Sequence, residues 1–420
     1  MGLPGLLKRR LPIHRLVPAM ALAALLGGCL PARRELPVML YVAIAVQDES
    51  GVTSENAAFF RQRFYQLVKD FRRVHPNVLM QLSLYPESQL RQRLQLRDRA
   101  GLGPDLILTG ADSANTLLRV GLTDPIPDDP QLRDASSPTL LQRLRNRRGQ
   151  IAAQPMALFP QLACYDRRRL PAPPTSLSGL LESSAAGVQV GLAIELRQLL
   201  WTAGGFGAIP GLKQAALGQQ PNPLERAQIR SWLTWLQQAS NQQRVTFMPN
   251  QSALRRSLSS GGLAWVSCNS GDLELMRRKL GPHLGVSALP NGAAHPASPV
   301  NRLRVLALGR NSSGAQREMS LEMIRFTVAP LVQRALTLDS LSFLPANPRV
   351  SVPVQSSSVL QAMVTSRQQA LSMDHMMADI HQEDPRLAAL QNEVIVPVLF
   401  GLVEPKLATQ QLITILRRQP

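Results

Sequence analysis

Val38-Met39-Leu40-Tyr41-Val42-Ala43-Ile44-Ala45-Val46 is an unbroken apolar run rich in β-branched residues. Such a run reads as a strand buried on both faces of a parallel sheet. A polar loop, Gln47 to Ser54, comes next. Then Ala57–Val74 carries Phe60, Phe64, Leu67 and Phe71 at steps of three or four, one apolar helical stripe. Pro76 ends that helix. Val78–Leu84 reads as a second strand and Ser88–Arg99 as a short helix. The turn Gly103-Pro104-Asp105 leads into a third strand, Leu106–Thr109. The helix Ser113–Val120 is stopped by Gly121. Strand, loop and helix in alternation predict an α/β sheet with crossover helices.

The pattern continues with more helix. Leu177–Leu181, Arg197–Thr202 and Pro223–Ser240 read as helices, the last with Trp232, Trp235 and Leu236 on one face. Leu263–Cys268, Gly285–Pro290 and Leu303–Leu308 read as strands. Glu318–Phe326 reads as a helix, and Val359–Arg418 as mostly helical. There is no internal repeat and no long low-complexity linker.

The first residues carry a different message. Lys8, Arg9, Arg10 and Arg15 precede an apolar run from Leu16 to Leu26. That run is shorter than the ~20 residues a membrane span needs and reads as an export signal. It ends in Leu26-Gly27-Gly28-Cys29, which resembles the bacterial lipoprotein box. Residues 1–28 are therefore expected to be a signal peptide. Residues 29–37 would then be a lipidated N-terminus and tether, with Cys29 acylated. The expected location is periplasmic or extracytoplasmic, held to a membrane by lipid.

The formal net charge is +18, of which four positive charges lie in the first 28 residues, leaving +14 for the exported chain. A basic excess can serve nucleic acid, an anionic surface or an acidic solute. Here the arginines are dispersed, with no basic block interleaved with aromatics, so nucleic acid is not expected as a partner. The excess reads as a solvated basic surface, with an anionic ligand as the alternative.

Several stretches, in order, resemble the extracellular solute-binding family that includes maltose-binding protein. Gly103-Pro104-Asp105-Leu106-Ile107-Leu108 is similar to its "PDV" strand. Gly121-Leu122-Thr123-Asp124-Pro125-Ile126 follows one helix later, as in the family. Cys164-Tyr165-Asp166-Arg167-Arg168-Arg169-Leu170-Pro171 resembles the "YYNKdllp" strand-turn, and Pro173-Pro174-Thr175-Ser176-Leu177 resembles "PPkTWdEl". Ser260-Gly261-Gly262-Leu263-Ala264-Trp265 and Gly285-Val286-Ser287-Ala288-Leu289-Pro290-Asn291-Gly292 are similar to two later family segments, and Ala307–Ser312 to a further strand and loop. The resemblance implies an α/β, two-lobed periplasmic-binding-protein fold with hinge strands and an inter-lobe cleft that closes on its ligand. By analogy the N-lobe comprises 38–156 plus 291–343, and the C-lobe 157–290 plus 344–420. Crossings fall near Met156–Phe159, Ser287–Pro290 and Leu344–Arg349.

Loops after strands point into such a cleft. The expected ligand-binding residues are Asp48 and Glu49, Asp112 and Ser113, Tyr165, Trp201, Asn269 and Asp272, and Phe343. Each also has a plain reading: Tyr165 and Trp201 as core, the loop carboxylates as solvated charges, Asn269 and Asp272 as turn or cap residues. Sugar binders of the family often carry a Trp where Ser270-Gly271-Asp272 stands here. Aromatics make up only 4% of the chain. A monosaccharide, polyol or small polar solute therefore fits better than a large oligosaccharide. Asp48, Asp112 and Asp272 suit hydroxyl or amine donors. Cys164 and Cys268 flank two cleft elements of one lobe in an oxidising compartment, where they can pair or stand as two buried thiols.

No signature of hydrolase, nucleotide-binding, metalloprotease or dithiol chemistry occurs. No enzyme activity and no cofactor is expected. His375 and His381 lie near Met373, Met376, Met377 and Asp379, but a six-residue gap does not put both imidazoles on one helix face. A methionine-faced amphipathic helix is the reading there, not a metal site. The expected function is capture of a small solute by a monomeric binding lipoprotein and its delivery to an ABC permease. The alternative is a sensor or scaffold with the same fold and a degenerate cleft.

Overall fold

The computed structural model describes residues 37–46, 54–379 and 384–418. The signal peptide, Cys29, Asp48 and Glu49 lie outside the described residues, as does His381.

Twelve strands are described, in two sheets. The larger holds β1 (Val38–Val46), β2 (Val78–Pro86), β3 (Leu106–Gly110), β4 (Thr123–Asp124), β5 (Gln154–Phe159), β11 (Arg302–Gly309) and β12 (Leu344–Pro345), in the order β12-β5-β11-β3-β1-β2 with β4 beside β11. The smaller holds β6 (Gln161–Asp166), β7 (Val190–Ala193), β8 (Val245–Met248), β9 (Trp265–Asn269) and β10 (Leu284–Ser287), in the order β10-β6-β9-β7-β8.

The opening apolar run does what its composition predicts. β1 is parallel to both β2 and β3, and from Val42 to Val46 every residue is buried. The helices Ser54–Val74, Glu87–Arg99 and Ala111–Arg119 supply the crossovers. The stripe residues Phe64, Leu67 and Phe71 pack under the sheet with Leu40, Val42 and Ile44. Burying a Phe or Leu side chain stabilises by roughly 1.5–3 kcal/mol. Gly121 ends its helix at φ +73, a left-handed turn that only glycine adopts without strain.

The chain passes between the sheets three times. Phe159 still pairs with Arg302 in the larger sheet and Gln161 with Asn269 in the smaller, so the first passage is Pro160. The second runs from Ser287 in β10 to Arg302 in β11. The third follows β12, after which the helix Ser358–Gln369 packs on β6 and β10. The passages are stitched together by side chains. The Gln161 N–H donates to Asn301 Oδ1 at 3.1 Å, the Val300 N–H donates to Gln161 Oε1 at 3.0 Å, and Ser366 Oγ donates to the Gln161 carbonyl at 2.8 Å.

β11 runs antiparallel to β3 and β5, so the larger sheet is mixed. Its far end approaches the turn before β3 so closely that a Cβ at Gly309 would fall 1.6 Å from the Pro104 carbonyl oxygen. Backbone cannot yield as a flexible side chain can. Gly309→Ala should therefore destabilise by about 3 kcal/mol, the upper end of overpacking costs. Urea unfolding checks this; a loss below about 1 kcal/mol would mean that the strand end shifts freely.

Candidate functional site

The two lobes meet where helices follow a parallel strand of each sheet. Asp112 lies in the first turn of the helix Ala111–Arg119, which starts directly after β3. Arg197 lies in the first turn of the helix Leu196–Gly205, three residues after β7. Across the gap, Arg197 Nη1 donates to Asp112 Oδ2 at 3.1 Å, with the side chains 16% and 17% exposed. Behind them one apolar cluster continues from Ala43, Ile107 and Ala111 of the larger lobe to Ala193, Val266 and Cys268 of the smaller. The inter-lobe groove that a two-lobed fold implies would open at this junction.

A second ionic group lies on the larger-lobe side. Arg304 Nη2 donates to the carbonyls of Ala45, the penultimate residue of β1, and of Leu108, at 2.7 and 3.3 Å. Its Nη1 donates to Glu87 Oε2 at 3.2 Å. Glu87 Oε1 in turn accepts from Thr109 Oγ1 at 2.6 Å and from the Gly110 N–H at 3.0 Å. Burial lowers the Arg304 guanidinium below its ordinary range; Glu87 works against this and Arg302 adds to it. Glu87 and Arg304 together therefore tie β11 to the C-terminal ends of β1 and β3. Sequence reading missed Arg197, Glu87 and Arg304. The last had a signal: Arg302 and Arg304 alternate with apolar residues in an otherwise buried strand.

The expected site residues divide into two groups. Asp112 and half-buried Ser113 lie at this junction, at the start of the helix after β3. Asp272 follows β9 but is held by Arg255 at 2.8 Å.

The others are structural. Tyr165, expected to touch the solute, is 6% exposed in the smaller-lobe core. A Cβ at Gly285 would fall 2.2 Å from its ring, so the ring lies over that glycine. Trp201, also expected at the groove, is fully buried against Trp265, with ring centroids 6.3 Å apart. In a chain so poor in aromatics, these large side chains fill the core. Asn269 is a turn residue: its Oδ1 accepts from the Gly271 N–H at 3.0 Å, and its Nδ2 donates to the Phe159 carbonyl at 3.3 Å. Phe343 packs on Phe159 at 5.5 Å beside the first passage. Cys164 and Cys268 form a disulfide between adjacent strands of the smaller sheet, with a Cα–Cα distance of 5.8 Å.

A groove of this kind supplies paired donors and acceptors from both lobes. It can hold a polar molecule by hydrogen bonds and release it when the lobes part. No helix among the described residues is long and apolar enough to cross a membrane.

The comparisons with known proteins agree with this geometry. A family model described as bacterial extracellular solute-binding protein matches residues 66–361. No curated protein matches the sequence. Among solved structures, the GacH receptor of Streptomyces glaucescens superposes with a TM-score of 0.67 at 15% identity, over 90% of this chain and 97% of that one. The maltose-maltodextrin binding protein of Alicyclobacillus acidocaldarius gives 0.66 at 16% identity, over 91% and 100%. A solute-binding protein from Thermotoga lettingae, solved with α-D-tagatose, gives 0.65 at 12% identity, over 90% and 99%. At such identities the likeness is one of fold: the two-lobed α/β fold of maltose-binding proteins.

Proposed function

The chain belongs to the bacterial extracellular solute-binding protein family, and from that premise we propose that it captures a small polar solute, a sugar or polyol, and delivers it to an ABC permease. In this reading Cys29 carries the lipid anchor, the mature chain works as a monomer, and no chemical step occurs. One observation carries it: the ion pair from Asp112 to Arg197, 3.1 Å across the groove. A guest at that point touches both lobes at once, which couples binding to closure. Tyr165 and Trp201 are core, and Phe159 and Phe343 pack on each other. The aromatics expected at the groove therefore form no stacking platform there, which favours a small solute over an oligosaccharide.

Thermal unfolding of the mature protein with monosaccharides, polyols and amines tests this. A solute at a hundred times its Kd should stabilise by about 2.7 kcal/mol, because it binds the native state alone. Asp112→Ala should abolish the shift. A second reading, a sensor or scaffold with a degenerate cleft, is favoured by Arg255, which already occupies Asp272. Failure of every solute to raise the midpoint would select it.

A further inference from the structure

The parallel strands β1, β2 and β3 begin at one end of the larger sheet, and Asp112 and Arg304 stand at the other. Large apolar side chains are exposed where the strands begin. Met39 and Leu79 are paired neighbours on β1 and β2. Val74, the last residue of the helix before β2, is 63% exposed, and Leu102, in the turn before β3, is 60% exposed. Val120 is exposed where the chain leaves the helix Ala111–Arg119 for β4, which pairs with the end of β11 beside the start of β3. Single exposed apolar residues are ordinary, but several gathered at one end of a sheet mark an interaction surface.

The same end is basic. Arg72 lies in the last turn of the helix Ser54–Val74, Arg99 ends the helix Glu87–Arg99, and Arg310 follows β11. All three are exposed and have no carboxylate partner among the described residues; Arg310 donates to the Gly121 carbonyl at 3.1 Å. Two half-buried carboxylates stand nearby. Asp70 pairs with Arg73 at 2.9 Å, and Asp98 accepts from Asn311 at 2.7 Å. A positive excess remains. The chain also enters here: Val38 opens β1, and Cys29 stands nine residues before it. That stretch spans at most about 30 Å when fully extended, and it contains Arg33 and Arg34.

We propose that this end of the larger lobe docks on an anionic phospholipid surface, with its arginines on lipid phosphates and its exposed apolar side chains at the headgroup boundary. The inference rests on the reading of Cys29 as the lipid anchor, which keeps a bilayer within reach of the patch. Guanidinium groups match phosphate with paired N–H donors. An anionic bilayer attracts such clusters over about a Debye length, ~8 Å at physiological salt. A second copy of this chain fits less well, because it would bring the same arginines face to face. Docked in this way, the lobe holds Asp112 and the junction at its far end, away from the membrane and open to arriving solute.

Co-sedimentation with vesicles tests the assignment, using the whole mature chain with Cys29→Ala so that the patch acts without the lipid. The protein should sediment with vesicles of equal parts phosphatidylglycerol and phosphatidylcholine, not with phosphatidylcholine alone, and added salt should release it. Arg72→Gln with Arg99→Gln should weaken binding about 25-fold, roughly fivefold for each arginine. Leu102→Ser should weaken it about fivefold through lost apolar insertion. Arg230→Gln with Arg256→Gln makes the same change of charge on exposed positions of the smaller lobe and should alter binding by less than about twofold. Every substituted position is exposed, so folding is not at stake. No binding to the anionic vesicles, equal losses in the two arginine pairs, or self-association through Leu102 in place of vesicle binding would each overturn the proposal. Mass spectrometry of the mature N-terminus reads the anchor separately. An unmodified Cys29 would overturn the anchor and this inference with it, whereas an acylated Cys29 with no vesicle binding would overturn this inference alone.

Discussion

Replacing Cys164 and Cys268 together by alanine will lower stability by about 4–5 kcal/mol, the chain-entropy value for a closed loop of ~100 residues. The two cysteines are 104 residues apart in sequence. Between them lie β7, β8 and five α-helices, from Leu177–Ala185 to Gln251–Ser259. The bond therefore restricts a large part of that lobe in the unfolded state. The native ladder brings the partners close. Leu162 pairs with Cys268 and Cys164 with Val266, a diagonal on neighbouring antiparallel strands. The Cα–Cα distance of 5.8 Å lies within the ordinary disulfide range. Both residues are buried, at 0% and 1% exposure, so reductant should act chiefly on opened molecules. Urea unfolding of the variant should match that of the reduced wild type, and a difference from oxidised wild type below about 1 kcal/mol would refute the entropic account.

Asp374→Ala will be almost as damaging, and more damaging than Arg143→Met. Arg143, after the helix Pro138–Gln142 of the larger lobe, meets Asp374 of the helix Leu371–Asp379 at 3.1 Å. The side chains are 4% and 7% exposed. Arg143 also donates to the Asn301 carbonyl at 3.4 Å, beside the second passage. Removing one partner from a buried pair leaves an uncompensated charge, at a cost of about 3–5 kcal/mol. The asymmetry comes from Arg367. Burial pushes its guanidinium down and Asp374 pushes it back up. Without Asp374, buried Arg143 and half-buried Arg367 lose the carboxylate that favours their charge; without Arg143, Asp374 still has Arg367. The double variant Arg143→Met/Asp374→Leu should recover more than half of the loss, since an apolar pair can replace a buried ion pair. Equal losses in the two single variants would remove Arg367 from the account.

The strands legible in the sequence were those with a long apolar run, such as Val38–Val46, or with a family-like motif around them, such as Leu106–Thr109. The four-residue strands Val190–Ala193 and Val245–Met248 carry too few residues to show a period. The position of Asp112 beside a strand end was legible in the sequence. Arg197 was not, because its meaning depends on a partner 85 residues away. Trp201 misled because a buried aromatic and a ligand-facing one look alike in sequence; only the neighbouring Trp265 separates them.

Local order was therefore written in the chain itself. Apolar period, proline and glycine stops and strand-end loops determined which segments become strands and helices and that they alternate, since these preferences act between residues a few positions apart. Which carboxylate meets which arginine, whether two distant cysteines touch, and which aromatic is core were decided only by the tertiary structure. Those outcomes depend on distances of a few ångströms between segments a hundred residues apart, set by packing of the whole molecule.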